Sequence, residues 1–197
     1  MVVLRLLQKM TARRASCLTS LVWAGLILAS AVSWMRPSPT RNFTLAEFEE
    51  SDFSEWISLP GKSTEIVASF HGGFDTNYRT VRFAHDHPDP QEIARRSILR
   101  NPQHHGEEVL WLENRMFSLE GVFEIFFGAD ASAPSWWVRP MAGTVPIATV
   151  AYWERNGYGY GYLIVAEPEI HRVRILQFSQ QHLKFEAIQR AFPHPAG

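Results

Sequence analysis

Two histidines spaced to share a ligand close a strand-like run: His85-Asp86-His87, with Asp89 just behind. Side chains two residues apart on an extended chain share a face, so both imidazoles could hold one metal ion, with a carboxylate completing the set. His71, His104 and His105 could join if their loops meet. The same residues also read as a polar loop before a proline-started helix, with Asp89 as its N-cap. No HExxH, cysteine pair or paired-aspartate pattern accompanies them. A metal-binding protein or hydrolase using the His85/His87 loop is therefore the second reading of the chain.

Other patterns carry less chemistry. Gly61-Lys62-Ser63 has the tail of a phosphate-binding loop, but Trp56 stands where its first glycine belongs. Gly157-Tyr158-Gly159-Tyr160-Gly161-Tyr162 is not a dinucleotide fingerprint, because Tyr162 occupies the last glycine position and no helix follows. Ser69 precedes His71 without a Gly-x-Ser-x-Gly elbow. Glu113, Glu120 and Glu124 fall between apolar runs, where charges mark turns or solvated faces. No catalytic residue, cofactor or resident metal is assigned, and the balance leans away from an enzyme.

The alternating glycines and tyrosines are a structural pattern first. They lie in the second of three strand-like runs, residues 145–154, 158–166 and 171–178. Asn156-Gly157 joins the first two, and its residue types suit a type I′ turn with two positive φ angles. A two-residue turn pairs Arg155 with Tyr158, Trp153 with Tyr160, Tyr152 with Gly161 and Ala151 with Tyr162. Trp153, Tyr158, Tyr160 and Tyr162 then share one face, and Tyr152 lies over Gly161 on the other.

For the third run, pairing Ala166 with Ile170 gathers Val173 and Ile175 with Val150 and Leu163 in an apolar face. Arg172 and Arg174 then join the tyrosines, where guanidinium groups can stack on rings. A slip by one residue exchanges these sets. The first register is preferred because it keeps the arginines wet. The candidate binding surface is therefore Trp153, Tyr158, Tyr160, Tyr162, Arg172 and Arg174, part of it expected to be covered by a C-terminal helix over 183–192 through Leu183 and Ile188.

The earlier elements are read the same way. Thr44 and Glu47 form a capping box for a helix over 45–56. Residues 63–70 and 78–84 form a hairpin through Gly72-Gly73, and Asp89-Pro90 starts a helix to about Arg100. Residues 109–112, 116–119 and 122–127 are apolar enough to be strands, and Trp136-Trp137 begins another extended piece. Strand runs with a few short helices give an α+β fold, mainly an antiparallel sheet ending in a three-stranded meander.

Ahead of this domain, residues 15–35 contain no charge and as a helix would span about 31 Å, close to a bilayer's hydrocarbon core. Arg5, Lys9, Arg13 and Arg14 precede the run, and no acid occurs before Glu47. The positive-inside rule places the N-terminus in the cytoplasm and the rest outside it. The reading is thus a basic tail (1–14), one transmembrane signal-anchor helix (15–35), a proline-containing linker (36–44) and an extracytoplasmic domain (45–197). Ala29-Ser30-Ala31 supports the alternative, a signal cleaved after Ala31 and a secreted domain.

The lone cysteine, Cys17, leaves that domain without an internal disulfide. A net charge of −1 offers no electrostatic case for nucleic acid. The expected partners are the lipid bilayer through residues 15–35 and another membrane or extracytoplasmic protein. The leading reading is a non-enzymatic interaction or assembly module.

Overall fold

A computed structural model describes residues 40–72, 76–116, 119–122, 125–126 and 146–193. The chain divides into two units, Met1–Arg36 and Pro37–Gly197, and all described residues belong to the second. Among them no helix is long and apolar enough to cross a membrane. The charge-free run 15–35 and Trp136-Trp137 lie outside the described residues.

Among the described residues seven antiparallel strands form one sheet in the order β1-β2-β3-β7-β6-β5-β4. The strands are β1 (Arg41–Phe43), β2 (Thr64–Gly72), β3 (Thr76–Ala84), β4 (Leu110–Met116), β5 (Ile147–Arg155), β6 (Tyr158–Glu167) and β7 (Arg172–Gln181). Short helices lie between and after them: α1 (Leu45–Glu49), α2 (Pro90–Arg100), α3 (Leu119–Val122) and α4 (Phe185–Ala191). The meander β5-β6-β7 turns at Asn156 and Gly157, whose φ angles are 51° and 78°. The β5–β6 register is the one read from the sequence, from Arg155 opposite Tyr158 to Ala151 opposite Tyr162.

Capping chemistry sets the starts of α1 and α2. Thr44 accepts from the Glu47 amide while the Glu47 carboxylate accepts from the Thr44 amide. Asp89 Oδ1 accepts from the Gln91 and Glu92 amides ahead of α2. The stop of α1 differs from expectation. It ends at Glu49, and turns carry the chain to Trp56. Ser51 and Ser54 hydroxyls donate to the carbonyls of Phe48, Glu49 and Ser51, so side chains compete for the acceptors a longer helix would use.

Residues 119–126 also depart from the strand reading. Leu119–Val122 is helical and Ile125–Phe126 is not extended. Buried Val122 and Phe126 join the core of one sheet face, and a short apolar run serves a buried helix as well as a strand.

Both faces of the sheet are covered, and that decides the register of β7. On one face Ala151, Trp153, Tyr162, Ile164, Val173 and Ile175 pack with Phe48, Ile57 and the α2 residues Ile93, Ala94 and Ile98. On the other, Val150, Tyr152, Leu163, Val165, Leu176 and Phe178 pack with Leu112, Val122, Phe126 and the C-terminal Leu183, Ile188 and Phe192. Glu167 pairs with Arg172, Ala166 with Val173 and Ile164 with Ile175. Ala166 is thus shifted by three residues from Ile170 to Val173, an odd shift that exchanges the two faces as a one-residue slip would. A 3-10 turn at Pro168–Ile170 ending in left-handed His171 joins the two strands in this register.

Two smaller expectations change with it. The helix carrying Ile188 covers the face opposite the tyrosines. Tyr152 leans past its partner Gly161 onto Gly159, where an added Cβ would stand 2.7 Å from its ring, and Phe178 fills the space over Gly161 at 2.6 Å.

Candidate functional site

The tyrosine face is part core and part surface. Trp153 and Tyr162 are fully buried, whereas Tyr158 and Tyr160 are half-buried. Tyr160 stacks on Trp153 with ring centres 5.8 Å apart, and Tyr158 lies 6.2 Å from Tyr160. His104 meets Trp153 edge-on at 5.4 Å from the loop after α2.

Beneath them Tyr162 ties three segments together. Its hydroxyl donates to the Trp56 carbonyl, with the Ser97 carbonyl 3.2 Å away, and accepts from Asn101 Nδ2 at 2.7 Å. Burial holds its pKa well above the ordinary tyrosine value, with Asn101 and Arg79 acting against that.

The arginine that reaches this face is Arg79, which sequence reasoning missed. It stands opposite Gln177, which in turn pairs with Tyr162, and in the adjoining row Asn77, Ser179 and Tyr160 stand side by side. Its guanidinium carbon sits 3.8 Å from the centre of the Trp56 ring and 4.9 Å from that of Phe70. Arg79 Nη1 donates to Gln177 Oε1 at 2.9 Å. Burial between the rings lowers its pKa to about 10, opposed by Tyr162, Glu55 and Asp52, so it stays cationic at neutral pH. A sequence signal existed: Arg79 shares the strand parity of the core residues Val81 and Phe83.

Arg172 and Arg174 lie across the sheet from the tyrosines, and the expectation that they share a face is corrected. Both Arg174 and Glu167 are 1% exposed, and Arg174 Nη2 lies 3.1 Å from Glu167 Oε2. Arg82 stands opposite Arg174, and Arg172 opposite Glu167. Burial lowers the pKa of Arg174; Glu167 counters it, and the charges of Arg172 and Arg82 add to it. Packed on two sides, the sheet has no wet face on which to leave Arg174, so a carboxylate accompanies it inward.

The histidine loop has its own hydrogen bonds. His85 Nε2 lies 3.1 Å from the Gly61 carbonyl, and His85 Nδ1 accepts from the His87 amide at 3.2 Å, which places the proton on Nε2. His87 and Asp89 border a recess of about 160 Å³ with Ser58, Glu92 and Arg96. That is below the usual volume of a small-molecule site. Among the described residues no three His, Cys, Asp or Glu side chains come together as metal ligands. Compared with protein-family models, curated proteins and solved structures, the chain matches none.

Proposed function

We propose that the chain is a membrane-tethered module that works by recognition outside the cytoplasm. In this reading residues 15–35 cross the bilayer once and residues 45–197 present a binding surface to another membrane or extracytoplasmic protein. One observation carries it: on the tyrosine face a guanidinium is clamped between Trp56 and Phe70, on the same sheet surface as half-buried Tyr158 and Tyr160. Interface hot spots are enriched in tryptophan, tyrosine and arginine, and a clamped side chain loses little entropy on binding.

The test has two arms. The full chain in native membranes should resist alkaline carbonate extraction and retain Met1; a mature N-terminus at Val32 would replace the tether by secretion. Crosslinking should capture a partner that Tyr160→Ser and Arg79→Gln each release at an unchanged unfolding midpoint. Capture that persists in both variants refutes the surface assignment. A collapsed midpoint in both means that these residues serve packing.

A further inference from the structure

We propose that the outer layer over the tyrosine face, formed by α1, the turns after it and α2, docks on the same layer of a second copy of this chain. The layer is divided by charge. From Thr44 to Gly61 the chain carries Glu47, Glu49, Glu50, Asp52 and Glu55, all exposed, and no basic residue. The solvent side of α2 carries Arg95, Arg96 and Arg100, also exposed, with Leu99 among them at 84%. Arg96 holds Glu92 at 2.6 Å, and Arg95 Nη2 donates to the neutral Gln91 Oε1 at 3.4 Å. Among the described residues no ion pair joins the five acids to these arginines.

Both halves rest on one sheet face, and their spacing is fixed. Phe48 and Ile57 from the acidic half share a core with Ile93, Ala94 and Ile98 of α2. The Ser58 amide donates to Ser97 Oγ at 2.9 Å, and the Tyr162 hydroxyl lies between the Trp56 and Ser97 carbonyls. A surface held this firmly loses little freedom on docking.

A rigid layer with an acidic half beside a basic half is complementary to itself. Rotated by half a turn about its boundary, it sets acids against arginines twice, which is the isologous contact of a two-fold dimer. Surfaces of a single sign do not fit. An anionic bilayer that attracts α2 repels the five acids, and a polycation does the reverse. Leu99 then meets Phe53, half-buried among the acids of the other copy, so apolar contact accompanies the charges. The contact uses none of Tyr158, Tyr160 and Arg79, which separates it from partner capture on the tyrosine surface.

The experiment mixes two differently tagged pools of the full chain in mild detergent and reads the fraction that co-purifies. A chain processed to Val32 is mixed in the same way without detergent, so the outcome does not depend on the tether. Unaltered chains should pair with each other, and less so as salt rises. Arg95→Glu with Arg100→Glu, and Glu49→Lys with Glu50→Lys, should each lower self-pairing at least about tenfold. Mixed together, these two double variants should pair as unaltered chains do. Unaltered chains that stay single overturn the proposal, as does self-pairing that survives either double variant or a mixture of folded variants that fails to pair. Where a charge variant does not fold, cysteines decide. In a Cys17→Ser background, Leu99→Cys and Asp52→Cys chains should form their mixed disulfide faster under mild oxidation than either forms its own. A mixed disulfide that is no faster overturns the proposal as well.

Discussion

Replacing Tyr162 by phenylalanine keeps the buried ring and removes only its hydroxyl. That hydroxyl is the acceptor for Asn101 Nδ2 and a donor to the Trp56 carbonyl. Asn101 is 3% exposed and Tyr162 is fully buried, so water does not reach the donor left behind. A buried group deprived of its partner costs roughly 1–3 kcal/mol, and the half-buried Trp56 carbonyl lies at the low end of that range. The sum is about 3 kcal/mol, which for a domain of this size lowers the melting midpoint by roughly 6–12 °C. Urea unfolding followed by tryptophan fluorescence measures it. Removing the orphaned donor as well, in Tyr162→Phe with Asn101→Ala, should cost less than the two single changes added together. A loss under about 1 kcal/mol for Tyr162→Phe, or strict additivity in the double variant, would refute the view that this hydroxyl joins the loop at Trp56 to the end of α2.

Three further outcomes are expected. Gly157→Val should cost about 1–2 kcal/mol in chemical denaturation, as strain at positive φ alone, because an added Cβ there meets nothing within 4 Å; no change would reject the turn geometry. Arg174→Met should destabilise by roughly 3–5 kcal/mol by removing the guanidinium 3.1 Å from the buried Glu167 carboxylate, and adding Glu167→Leu should recover at least half; an unrecovered double variant would mean that packing, not charge, set the loss. Burial raises the Tyr152 pKa from 10 to about 12, with Glu154 and Glu186 adding to it. Its contribution to stability is therefore complete below pH 10 and is lost as pH rises toward about 12, a window checked by unfolding midpoints beside phenolate absorbance.

Where chemistry was local, the sequence was readable. Asn156-Gly157, Thr44 with Glu47 and Asp89-Pro90 each satisfy a geometric need within a few residues, and each turn or helix start stands where those residues place it. The register of β7 was not local. It depended on whether Arg174 could be buried, and Glu167, which accompanies it, sits across a turn whose left-handed His171 leaves no mark in hydrophobic periodicity. The surface shared the same blind spot. Its alternation identified the tyrosines, but their arginine comes from β3, about a hundred residues earlier in the chain than Gln177, its partner. Only the assembled sheet brings β3 beside β7.

That central position of β7 has a consequence for how the chain is made. The hairpins β2-β3 and β5-β6 can each form from neighbouring sequence, but β3 meets β6 only through β7, which follows both in the chain. Until β7 is in place, β3 and β6 each present an open edge along which other chains can pair. The pairings that unite the halves must wait for β7 and follow the slow kinetics of distant contacts. A stop codon that removes β7 would leave two sticky hairpins in place of a smaller domain.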